Sequence, residues 1–200
     1  MFDRTARPDE GLGPYFNADS CRACHQDPVL GGAGGADTSV IRYGNWTDGV
    51  FTSGDDIVLP RVALPGVRPL RLPNDANVVE LRNPLTTLGV GEIDAISELD
   101  ILAGEDPDDV DGDGISGRAR IVGGMVGRYG WKAQIATASD FAADALIAEL
   151  GQTVDASLST FTGTDEDSHP DPELSDEDFL ALSFYLANLG APVPLSLIHI

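Results

Sequence analysis

Cys21-Arg22-Ala23-Cys24-His25 places both cysteines of the chain within one short motif, which rules out a disulfide framework between distant segments. Two thiols three positions apart, followed at once by histidine, read as a covalent attachment site for a c-type haem. In that chemistry the thiols form thioether bonds to the vinyl groups, and the adjacent imidazole becomes the proximal ligand of the iron. Two other readings use the same residues. A thioredoxin-like couple carries its Cys-x-x-Cys after a strand in a βαβ pattern, which is missing here. A structural zinc site needs four ligands, and the remaining histidines, His169 and His199, are far along the chain with no second Cys-x-x-Cys. The expected cofactor is haem c, held by Cys21 and Cys24 with His25 as an axial ligand.

Haem attachment of this type takes place outside the bacterial cytoplasmic membrane, so the motif implies a periplasmic or otherwise exported protein. Met1-Phe2-Asp3-Arg4 offers neither a basic n-region nor an apolar h-region. The expectation is a chain that lacks its signal or starts inside a longer protein. No run of about 18 apolar residues is long enough to span a membrane. Twelve basic against 33 acidic side chains give a net charge of -21, which argues against nucleic acid or anionic lipid because like charges repel. Such a surface suits a basic electron-transfer partner, and it also simply keeps an exported protein soluble. With 42% hydrophobic residues in 200, the chain can bury a core of one domain, or one domain and part of another.

Along the chain, Gly13-Pro14 marks a turn, and Asn17 or Asp19 is placed to cap a short helix carrying the cysteines. Gly31 to Pro84 is rich in Gly, Pro, Asn and Asp. It reads as a long irregular segment with short β-prone pieces at Val58-Leu59 and Val78-Val79-Glu80-Leu81. A helix is expected over Glu92 to Ala103, where Ile93, Ile96, Leu99 and Leu102 mark one buried face. A second is expected over Ser139 to Leu150, with Phe141, Ala145 and Ala148 along one face and Gly151 as the stop. The clearest runs from Ser175, as N-cap, through Asp176-Glu177-Asp178 to Leu189, with Gly190 and Pro192 ending it. Its stripe is Phe179, Leu182, Leu186 and Leu189. Gly163 to Pro172 reads as an acidic loop containing His169. The apolar tail Leu195-Ser196-Leu197-Ile198-His199-Ile200 matches the translation of a common sequencing adapter and is expected to be non-native, with a short native strand or tail as the alternative.

Four blocks, in order, carry a resemblance. They are Gly11-Leu12-Gly13-Pro14-Tyr15-Phe16-Asn17 before the haem motif; Arg82-Asn83-Pro84-Leu85 with Leu88-Gly89-Val90-Gly91-Glu92-Ile93; the run Asp106-Pro107-Asp108-Asp109-Val110-Asp111-Gly112-Asp113-Gly114-Ile115-Ser116-Gly117-Arg118; and Gly127-Arg128-Tyr129-Gly130-Trp131-Lys132-Ala133. Together they resemble the bacterial di-haem oxidoreductases, also called di-haem peroxidases or thiol oxidoreductases, relatives of the di-haem cytochrome c peroxidases. The resemblance implies a mainly α, cytochrome-c-like fold with long irregular loops. It implies a first haem domain over residues 1–135 that includes the Asp-rich loop, and a helical segment over 136–194 leading into a second haem domain. Residues 195–200 are the expected non-native tail. It further implies electron transfer between a small redox protein and a peroxide-like small molecule. The chain departs from the family in having no third cysteine, and so no second Cys-x-x-Cys-His. It is expected to be a fragment cut within its second domain, or else a mono-haem relative.

The group opposite His25 decides between two functions. A strong second ligand gives a six-coordinate electron carrier, whereas an open position admits peroxide. Met125, among glycines, is the candidate distal ligand, with core gap-filling as the alternative. Glu92 stands where the related peroxidases place an acid–base glutamate, although a Glu in a first helical turn also simply favours the dipole. Arg82 is a candidate partner for a haem propionate. Trp46 and Trp131 are candidates for an electron path, or for the core. Asp109, Asp111 and Asp113 with Gly114 match the first half of a calcium loop; the closing Glu is missing, since Arg120 stands at its position. A binding module held by zinc or calcium, without haem, is the third function class.

Overall fold

Glycine and proline decide where regular structure stops in this chain, and the result is a mosaic of short elements. The computed structural model describes residues 2–53, 58–163 and 169–192. In chain order the strands and helices are β1 (Tyr15–Phe16), β2 (Val40–Thr47), β3 (Val50–Ser53), β4 (Val62–Ala63), β5 (Val78–Arg82), α1 (Val90–Ala95), α2 (Glu98–Ala103), β6 (Ile121–Val122), β7 (Met125–Val126), α3 (Ala138–Ala145) and α4 (Asp176–Ala187). Helix accounts for 25% of the described residues and strand for 17%, in short helices and small antiparallel sheets. The expected mainly α, cytochrome-c-like class is therefore wrong.

The correction comes chiefly from residues 40–82. β2 and β3 form a hairpin closed by Asp48 and Gly49, both at positive φ (53° and 79°), the twist that a two-residue hairpin turn requires. β5 pairs with the other edge of β2, with Ile41 opposite Leu81 and Tyr43 opposite Val79, giving the order β3-β2-β5. Leu59 forms a lone bridge to Ile41 and Val58 is buried. A segment whose composition suggests irregular chain is thus ordered by pairing between residues far apart in sequence.

The chain divides into two compact units, one of residues up to 87 together with 143–182, the other of 88–142 together with the chain from 183 onward. In the first unit Phe2, Leu12, Val58, Leu146, Leu150, Leu174, Phe179 and Leu182 form the core. Burying each large side chain contributes about 1.5–3 kcal/mol. α3 continues into a π-helical turn, Leu146–Leu150, which Gly151 ends in the left-handed region at φ 67°. There Gly13 N–H donates to Leu150 O at 2.9 Å, and a Cβ on Gly13 would stand 2.8 Å from Gly151 Cα. Two glycines are needed for these backbones to cross. α4 begins as expected, with Ser175 Oγ accepting from Asp178 N–H at 3.2 Å.

In the second unit Val126, Tyr129, Ile135, Ala142 and Leu186 are buried. Tyr129 Oη donates to Asp94 Oδ1 at 2.7 Å, and Asp94 also accepts from the Ala138 N–H that opens α3. Burial and the Asp94 carboxylate push the Tyr129 phenol above its ordinary range. The helix expected over Glu92 to Ala103 is broken in two. Ile96 is extended, and Ser97 caps a new start, its Oγ accepting from Asp100 N–H at 3.1 Å. The stripe expected to be buried there is open: Leu99 is 77% exposed and Ile93 and Ile96 are exposed as well. No helix among the described residues is long and apolar enough to cross a membrane.

Candidate functional site

Cys21–Ala23 forms a single 3₁₀ turn rather than a longer helix, and Ser20 stands at its N-cap position in extended conformation. Cys24 N–H and His25 N–H both return to Cys21 O, at 3.2 and 2.9 Å. This turn sets the two thiols and the imidazole around one short arc. Asn17, expected as a cap, instead accepts from Arg61 N–H at 3.1 Å.

His25 is oriented by the chain sixty residues away, where its Nδ1 lies 2.8 Å from Leu85 O. A carbonyl can only accept, so the ring proton sits on Nδ1 and Nε2 keeps the lone pair a metal requires. That is the usual arrangement of a ligating histidine, its other nitrogen donating to a backbone carbonyl. The segment supplying Leu85 is tied to the loop after the motif. Gly34 N–H donates to Pro84 O at 2.9 Å, Thr87 N–H to Gly31 O at 2.8 Å, and Asn83 Nδ2 to Gly35 O at 2.8 Å. Gly31 N–H closes back on His25 O at 2.9 Å. The loop requires glycine at 34, because a Cβ there would stand 2.7 Å from Cys24 O and 3.0 Å from Pro84 Cγ. The ring of Phe2 packs at 6.4 Å from the imidazole, centroid to centroid.

Electrostatics separate the readings of the motif. Burial pushes the Cys21 thiol up to about 11, and burial with the Glu149 carboxylate raises Cys24. A dithiol redox couple works through a lowered thiol pKa, so these are poor attacking groups. Burial lowers His25 against the opposing pull of the Leu85 and Gly32 carbonyls, which favours the neutral, ligating ring. Among the described residues, the one group of three or more His, Cys, Asp or Glu ligand atoms within 4.8 Å of one another is Asp106, Asp109 and Asp111. The sulfurs and imidazole therefore do not converge on a point as zinc demands. A macrocycle asks the opposite of them: sulfurs at its edge and nitrogen beneath its centre. Both thiols are free, as attachment to the vinyl groups of a macrocycle would require. The cavity beside Cys21, lined by Arg4, Ser20, Leu146, Leu150 and Glu173 among others, measures about 100 Å³. Pockets for cofactors run from roughly 300 Å³ upward, so that cavity is too small to enclose one. Val29, Leu30 and Leu85 present apolar surface beside the motif, Leu85 being 78% exposed.

The other candidates fall differently. Arg82 Nε and Nη2 hold Glu80 Oε2 at 3.0 and 2.6 Å, so its guanidinium is engaged within β5. Glu92 opens α1 in the second unit, exposed, its Oε1 accepting from Ala191 N–H at 3.2 Å. Met125 lies on β7, in the two-residue hairpin turned by Gly123 and Gly124, and is 44% exposed. Trp46 and Trp131 are exposed rather than core. His169 is part-buried, while much of the acidic loop preceding it, and the tail at 195–200, fall outside the described residues. In the Asp-rich loop, Asp106 joins Asp109 and Asp111, whereas Asp113 is turned to cap Ile115 N–H at 2.8 Å. Asp106 accepts from Val110 N–H at 2.9 Å and Asp109 from Gly114 N–H at 3.1 Å.

Two groups at the motif carry no sequence signal as site residues. One is the Leu85 carbonyl, a backbone atom. The other is Glu149, a part-buried carboxyl pushed up to about 7 by burial, against the pull of Asn17, Arg42 and Arg61. No protein-family model, curated protein or solved structure matches the chain.

Proposed function

We propose that this chain is a c-type haem-binding oxidoreductase unit: Cys21 and Cys24 attach the haem, and His25 Nε2 is one axial ligand. The reading is supported by the bond from His25 Nδ1 to Leu85 O, which leaves the Nε2 lone pair available to a metal, beside two thiols that burial keeps protonated. Bound there, haem supplies one-electron chemistry and, where a coordination position stays open, peroxide reduction. The protein's own part is to hold the imidazole tautomer through Leu85 and to keep the loop of Gly31 to Gly35 against residues 83–87. An exported location, and exchange of electrons with a small redox protein, belong to the same proposal.

The second reading is a carrier with no catalysis, and the placement of Glu92 favours it, since that carboxylate is exposed and occupied by Ala191 N–H. Expression with the cytochrome maturation machinery tests both. Colour that survives denaturation is expected; a colourless product refutes both readings. A high-spin ferric spectrum that shifts with cyanide supports peroxidase-type chemistry, and a low-spin spectrum indifferent to cyanide supports the carrier.

A further inference from the structure

The π-helical turn at Leu146–Leu150 brings Glu149 to the haem motif. Asn17 N–H and Ala18 N–H, just before Cys21, donate to Glu149 O at 2.8 and 3.4 Å. The Glu149 carboxyl feels the Asn17 amide, Arg42 from β2, Arg61 ahead of β4 and Asp144 from α3, and it raises the Cys24 thiol, on which Arg61, Asp19 and Asp37 also act. Asn17 is 7% exposed. Its Nδ2 turns toward Glu149 and reaches no acceptor at full hydrogen-bond geometry. A buried amide donor left waiting beside a carboxyl is what an ionisation-dependent partner looks like: it is satisfied when the acid is charged and idle when it is neutral.

We infer that Glu149 is the proton-accepting site coupled to electron arrival at the haem carried by Cys21 and Cys24. This rests on the haem reading above. As a one-electron donor, a reduced redox protein in the cell or dithionite in the test, delivers its electron, one proton from water joins a Glu149 carboxylate oxygen. Both leave on oxidation. The physical cause is mutual charge: an electron added nearby in a poorly solvated site disfavours the carboxylate. A carboxyl pushed up to about 7 is balanced between its two forms near neutral pH, so it responds there. Arg42 and Arg61 keep it from remaining neutral at every pH.

The test is the haem midpoint potential from pH 5 to 9, in the matured protein and in Glu149→Gln. The unsubstituted protein is expected to lose potential as pH rises around neutrality, approaching about 59 mV for each tenfold fall in proton concentration. The Gln variant is expected to be flat over that window. An equal slope in both proteins overturns the proposal and assigns the coupling to another group. Should the variant fail to mature, redox-difference infrared spectra of the unsubstituted protein decide: a protonated-carboxyl band must grow on reduction, and its absence overturns the proposal. Extraction with acidified acetone comes first; if it removes all haem, the haem reading itself fails, separately from the coupling.

Discussion

Glu149→Gln makes a stability prediction as well, and it is independent of haem. The folded protein holds the Glu149 proton up to about pH 7, against 4.5 for an ordinary glutamate. Between those values unfolding releases a proton, so this group's contribution is fully present below pH 4.5 and is lost as pH rises through 7. The difference corresponds to about 3 kcal/mol at most, and residual hydration of a part-buried group reduces it to about 1–3 kcal/mol. Glutamine keeps the shape without the charge. Urea unfolding of both proteins at pH 5 and pH 8 measures the effect, and the other carboxylates cancel in the comparison. The gap in favour of the variant should widen from under about 1 kcal/mol at pH 5 to about 1–3 kcal/mol at pH 8. Stability gaps equal at the two pH values would refute the buried-acid account.

Gly34→Val should disturb the contact of the motif loop with Pro84, where even a Cβ would meet Cys24 O at 2.7 Å. It should destabilise by about 1–3 kcal/mol and lower the haem-to-protein ratio, both read on purified protein. Ser175→Ala removes the acceptor for Asp178 N–H and should cost about 1 kcal/mol by urea unfolding. If the Asp-rich loop takes up calcium, its affinity should fall in the range of about 10⁻⁴–10⁻³ M. Asp106→Asn should then weaken it about tenfold while Asp113→Asn leaves it nearly unchanged, because the carboxylates that gather are those of Asp106, Asp109 and Asp111. Isothermal titration with calcium chloride checks this; equal losses in both variants would contradict the geometry.

α4 was legible because its signals are local: a Ser175 cap, three acids in the first turn and an apolar stripe, although the helix stops at Ala187, short of the expected Leu189. Ser139 to Leu150 was legible to its glycine stop, although Phe141 of the expected face is exposed while Ala142, Ala143 and Leu146 are buried, and the closing π turn leaves no mark in the apolar spacing. The spacing of Ile93, Ile96, Leu99 and Leu102 suggested one helix and hid the Ser97 cap that divides it. The β-sheet was harder. Asp48-Gly49 is a strong hairpin signal, but it lies in a stretch whose glycines and prolines suggest loop. β5, moreover, joins β2 only through tertiary pairing. At the candidate site, the reading rests on side chains whose chemistry the sequence shows outright, Cys21, Cys24 and His25. Leu85 acts through its carbonyl, which any residue but its geometry would supply, and Glu149 looks like any helix-surface acid until the fold packs it against Asn17. Asp113 fitted the calcium-loop spacing, yet its carboxylate caps Ile115 while Asp106 joins the cluster, because the loop's own turns decide where each carboxylate points.

The most direct test of the central claim is the mass of the proteolytic peptide containing Cys21 to His25, taken from protein matured with the haem-attachment machinery. The account predicts one haem added through both sulfurs, lost by half-steps to a single thioether in Cys21→Ala or Cys24→Ala. A peptide of unmodified mass with two reactive thiols, or with an internal disulfide, would contradict it.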